Sequence, residues 1–139
     1  MSSMPFLVKE RRSTRSEEAY KAITHQLEHV LKLHGLRNFT LSASNGLVLA
    51  KAGHTEESEA LAAYAPMLAK CLDRNTRNEV VEELGQVVPM GERDTVTVRS
   101  FFIEGERFYL GLVGHAGTLL DASLYRALTG IRRIFKQNA

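Results

Sequence analysis

Through Phe39-Thr40-Leu41-Ser42-Ala43-Ser44 apolar and polar residues alternate strictly, the period of a strand with one buried face. Asn45-Gly46 follows, a pair that tolerates the positive φ angles of a two-residue type I′ turn, so residues 47–52 are predicted to return antiparallel. Leu47, Val48, Leu49 and Ala50 leave no wet side, which places this second strand inside the sheet with cover on both faces. Gly53-His54 ends it, and Thr55 with Glu56 and Glu57 has the capping hydroxyl and acids that favour a helix N-terminus. The helix so begun runs to about Leu72 with two apolar stripes, Leu61, Ala65, Leu68, Leu72 and beside it Ala60, Tyr64, Met67, Cys71. One stripe suffices to cover a sheet, so the second is expected to meet a partner. Pro66, on the narrow polar arc, predicts a kink.

Around this centre the pattern is simpler. Residues 1–15 lack periodicity and read as a flexible basic arm, and residues 16–139 read as a single domain. A first helix opens at Ser16, buries Tyr20, Ile23, Leu27, Val30 and Leu31, and stops at Gly35. Thr76-Arg77-Asn78-Glu79 has capping-box spacing ahead of Val80, Val81 and Leu84, a further short helix. Gln86 to Met90 is at best a short edge strand because Pro89 cannot donate to a ladder. Thr95 to Ile103 and Arg107 to Val113 form a second hairpin about Glu104-Gly105-Glu106. Leu120, Leu124, Leu128, Ile131 and Phe135 make a closing helix, with Gly130 a mild weakness inside it. The order α-β-β-α-(β)-β-β-α describes an α+β domain, an antiparallel sheet of four to five strands sandwiched by helices as in profilin-like folds.

Composition narrows the chemistry. The chain has 139 residues, 44% hydrophobic and 24% charged, which suits one globular domain. A net charge of +2 is too small for a nucleic-acid footprint, and a single cysteine fits a reducing, cytoplasmic setting. No apolar run is long enough for stable membrane insertion. Basic residues gather at both ends, Lys9, Arg11, Arg12 and Arg15 at one and Arg132, Arg133 and Lys136 at the other, where solvated termini are the simpler reading over an acidic partner. Ser13 behind Arg11-Arg12 is a phosphoacceptor candidate, outweighed by an ordinary polar role.

No catalytic constellation emerges, and no cofactor is implied. His25-Gln26-Leu27-Glu28-His29 matches the H-x-x-E-H zinc signature, but both histidines fall opposite the apolar face of their helix and no third ligand is identifiable. Cys71 lies on an apolar stripe without a basic neighbour, the setting of a packed thiol rather than a nucleophile. Neither glycine turn resembles a phosphate-cradling loop, so the chain is not read as an enzyme.

The stretch Leu36-Arg37-Asn38-Phe39-Thr40-Leu41-Ser42-Ala43-Ser44-Asn45-Gly46-Leu47-Val48-Leu49-Ala50, followed by Glu59-Ala60-Leu61-Ala62-Ala63-Tyr64-Ala65, resembles the Roadblock/dynein-light-chain domain, and within it points toward prokaryotic regulators of small GTPases. The resemblance implies a dimer, with itself or a related Roadblock protein, through the second helix and third strand. It also implies a role in regulating or scaffolding a small Ras-like GTPase or motor-associated complex. Mapped onto this chain, the dimer or partner interface is Ala60, Ala63, Tyr64, Met67, Cys71, Val87 and Val88. Pro89 in the short third-strand equivalent departs from the family pattern. The alternative is a small-molecule sensor of related GAF- or PAS-like architecture, which requires a polar-lined cavity between sheet and helix.

Overall fold

The computed structural model describes the backbone of residues 3–71, 73–115 and 120–138, with side chains from residue 17 onward. The elements are α1 (Ser3–His34), β1 (Asn38–Ala43), β2 (Val48–Ala52), α2 (Thr55–Lys70), α3 (Arg74–Leu84), β3 (Asp94–Ile103), β4 (Glu106–His115) and α4 (Leu120–Gln137). The sheet has four strands in the order β2-β1-β4-β3, every neighbouring pair antiparallel. α1 and α4 cover one face and α2 covers the other, with α3 packed against α2.

The two sheet faces are built differently. Toward α1 and α4, Phe39 and Leu41 of β1 stand opposite Leu112 and Leu110 of β4, and all four are at most 1% exposed. Ala50 and Ala52 on β2 are small enough to admit α1, whose Ile23, Leu27 and Val30 are fully buried as the helical period predicts. An aromatic chain ties the outer elements together: Tyr20 of α1 meets Phe135 of α4 edge-on at 6.1 Å, Phe135 meets Phe108 at 5.7 Å, and Phe108 stacks on Phe101 at 5.8 Å. On the opposite face, β1 presents Asn38, Thr40 and Ser42, each buried to 1% or less. Asn38 and Thr40 stay dry because they satisfy one another and α2: Thr40 Oγ1 donates to Asn38 Oδ1 at 2.6 Å, and Asn38 Nδ2 donates to Ser58 Oγ at 3.1 Å.

Several expectations are corrected. β2 is a sheet edge, with Leu47 just before it 60% exposed, and the interior strands covered on both sides are β1 and β4. Helix α1 begins at Ser3 rather than Ser16; Pro5 falls in its first turn, where a missing N–H costs nothing, and no glycine interrupts the chain before Gly35. The Asn45-Gly46 turn is not type I′. Only Gly46 has positive φ (88°), its N–H bonds Ala43 O at 3.0 Å, and Ala43 N bonds Leu47 O at 2.9 Å, which leaves a three-residue loop closed by a left-handed glycine. The type I′ geometry occurs instead at Glu104-Gly105, where φ is 53° and 80° and Ile103 pairs Glu106. Gln86 to Met90 forms no strand. His54 is the N-cap of α2 in place of Thr55. Asp73 caps α3, accepting from Asn75 N at 3.3 Å and Thr76 N at 3.2 Å, in place of the capping box predicted from Thr76.

Candidate functional site

Helix α2 is held against the sheet by its first stripe. Leu61, Ala65 and Leu68 are at most 8% exposed, and Leu61 rests on Gly111 of β4, where an added Cβ would lie 3.1 Å from Leu61 Cγ. The absence of a side chain at Gly111 is what sets the depth of the helix. Gly53 does the same work at the turn into α2: its φ is 118°, and a Cβ there would meet Asn38 Nδ2 at 2.7 Å and Arg37 O at 3.1 Å.

The second stripe is shared between the chain's own α3 and the exterior. Ala60, Tyr64, Val80 and Val81 pack against a cluster of Leu61, Leu68, Leu84, Val88, Val96 and Val113. Partial burial, and after it the neighbouring Glu83 carboxylate of α3, raises the Tyr64 pKa above the ordinary 10.0. Arg77 of α3 donates to the Val96 carbonyl and so fastens α3 to the edge strand β3. What remains outside is Met67 at 47% exposure, Ala63, and Val87 at 51%, with Ala60, Tyr64 and Cys71 half-buried at the margin. Val88, also expected at the interface, is fully buried within the chain. The Val87-Val88 pair resembles a strand in sequence, but the turn after α3, with Val87 N and Val88 N both bonding Leu84 O, points one outward and the other inward. Leu72, expected on the first stripe, lies outside the described residues.

Next to this patch, His54, Thr55, Glu56, Glu57, Val87 and Pro89 line a groove of about 510 Å³. Glu57 is 8% exposed, its Oε1 stands 3.6 Å from Arg37 Nη2, and its Oε2 has no hydrogen-bond partner. Arg37 also reaches Asp94 Oδ2 at 3.8 Å, bridging α2 to the start of β3. The sequence reading missed this pairing; Arg37, Glu57 and Asp94 are far apart in the chain and carry no local pattern. The zinc-signature histidines, His25 and His29, are exposed on α1, His25 lying 4.0 Å from Glu28. Among the described residues no three metal-ligating side chains gather. The face built by α2 and α3 offers apolar contact flanked by acids.

No protein-family model and no curated protein matches the chain. Three solved structures share its architecture. They are the gliding protein MglB of Thermus thermophilus (TM-score 0.57, 21% identity, 86% of this chain and 92% of that one), an MglB with a tetrameric arrangement (0.58, 21%, 87% and 93%), and Myxococcus xanthus MglB (0.52, 16%, 86% and 92%). At such identities the likeness is one of fold, and the α+β, Roadblock-like fold expected from the strand-turn-strand-helix stretch is the one this chain adopts.

Proposed function

We propose that the chain is a non-catalytic, dimeric interaction module that regulates or scaffolds a small Ras-like GTPase or a motor-associated complex. The observation that carries the proposal is the exposure of Ala63 and Met67 on an α2 whose other apolar positions are buried or half-buried by its own chain, with Val87 exposed in the turn after α3. An exposed, adaptable methionine beside a small alanine on one helix face suits a contact with a protein surface. The Roadblock-like fold supports the GTPase partner, and the tetrameric arrangement described for one MglB supports self-association. The sensor alternative is not retained: residues from both layers fill the space between sheet and helices, and the two grooves described lie at the surface.

Light scattering at micromolar concentration tests the dimer. The wild-type chain is expected at twice the monomer mass and Met67→Lys as a folded monomer. Half-exposed Met67 contributes about 1 kcal/mol per subunit, less than a fully buried methionine would. Because association costs an estimated 4 to 15 kcal/mol, Val87 and the α2 margins must add to it. A wild-type monomer, or a Met67→Lys protein that stays dimeric, overturns the assignment of the patch. Capture of a small GTPase by the wild-type chain but not by Met67→Lys supports the partner class.

A further inference from the structure

The opposite helix layer carries a second groove. It lies between α1 and α4, encloses about 390 Å³, and is lined by Gln26 and His29 of α1 and Tyr125, Arg126, Gly130 and Arg133 among the residues of α4. Gln26 packs directly over Gly130, where an added Cβ would stand 2.8 Å from Gln26 Nε2. The Gln26 amide therefore lies directly across α4. Arg126 and Arg133 bracket that contact, one turn before Gly130 and one after, on the same side of the helix.

The charge of this groove is one-sided. No carboxylate lines it, and neither arginine has an ion-pair partner among the described residues. The only acid in α4, Asp121, stands 3.9 Å from Arg99 of β3 instead. Seven residues of helix separate the two guanidinium stems by about 10 Å, a gap that two arginine side chains close around one tetrahedral anion. Arginine forks match phosphate oxygens two at a time, and the Gln26 amide and His29 ring add donors between them. Tyr125, 74% exposed, offers a ring at the rim for an attached group.

We propose that the α1/α4 groove binds a phosphate group, carried by a soluble ligand or by a lipid headgroup, with Arg126 and Arg133 as its principal contacts. The site faces away from the Met67 patch and stands whether or not that patch is an interface. Titration calorimetry with pyrophosphate tests the soluble source, and co-sedimentation with phosphatidylcholine vesicles, with and without phosphatidylglycerol, tests the lipid source. Both use the full chain alongside Arg126→Gln, Arg133→Gln and the control Arg99→Gln, with thermal unfolding to confirm that each is folded. Saturable binding in either arm that weakens about tenfold in each groove variant, and not in the control, supports the site and names its source. Absence of binding in both arms overturns it, as does binding that all three variants weaken equally, the mark of a diffuse basic surface.

Discussion

Asn38 is the side chain on which the seating of α2 most depends, and its removal has a calculable cost. Asn38→Ala leaves two hydroxyls without their acceptor or donor, Thr40 Oγ1 and Ser58 Oγ, at positions no more than 1% exposed. Each stranded buried polar group costs about 1 to 3 kcal/mol. Ser58 can soften its share by turning onto a carbonyl of its own helix, so the net loss is set at about 2 to 4 kcal/mol. At roughly 4 °C per kcal/mol for a chain of this size, the melting point falls by about 8 to 16 °C.

The diagnostic step is the triple replacement Asn38→Leu, Thr40→Val, Ser58→Ala. Removing one partner of a buried network strands the others, whereas removing all of them strands none, so the triple variant should recover to within about 1 kcal/mol of wild type. Thermal unfolding monitored by circular dichroism measures both. A single variant that shifts the melting point by less than about 2 °C, or a triple variant no better than the single, refutes the network as the tie between β1 and α2.

Other substitutions test other joints. Gly53→Ala, with φ at 118° and backbone and Asn38 atoms in the way, should destabilise by about 2 kcal/mol or more, well beyond Gly35→Ala, where φ is 63° and the space is open; urea midpoints compare them. Glu104→Asn should stabilise by up to about 1 kcal/mol, because asparagine accepts the left-handed conformation that Glu104 holds at φ 53°; the same urea midpoints measure it. The Asp73 carboxyl is held below its ordinary pKa of 3.8 by hydrogen bonds from the Thr76 side chain and backbone and the Asn75 backbone. Its contribution is therefore present above that value and lost as pH falls through the lower folded value. Asp73→Asn, which caps without ionising, should leave neutral-pH stability nearly unchanged and flatten the acid limb of the unfolding midpoint; an unchanged acid limb would speak against the cap.

What the sequence discloses here is the local part of the fold. Ile23, Leu27 and Val30 announce the buried face of α1, and the β-branched and aromatic run before Glu104-Gly105 announces the second hairpin. Strand position in the sheet is not local. Whether β1 or β2 lies inside is decided by β1 pairing with β4, about seventy residues on, and apolar Leu47 to Ala50 resembles an interior strand although it is an edge. Alternation likewise cannot distinguish a wet polar face from a satisfied one. Asn38, Thr40 and Ser42 alternate as a solvent face does, yet all three are dry, and Asn38 and Thr40 are satisfied because Ser58 arrives from another element.

The same limit governs the candidate site. Two stripes on α2 are legible from their period, but how the second is divided between the chain and the exterior depends on α3, and α3 is positioned by contacts distant in sequence. Asp73 starts it, Arg77 fastens it to the Val96 carbonyl, and Val80 and Val81 pack into the cluster that Leu61 and Leu68 of α2 share with Val96 and Val113. The turn that follows α3 then points Val88 into the core and leaves Val87 outside. The exposed patch is thus the remainder after α3 has docked, and any change that loosens α3 exposes Val80, Val81 and Tyr64 with it. Stability of the α3 cap and specificity of the patch are therefore coupled: a chain with α3 undocked presents a larger and less selective apolar face.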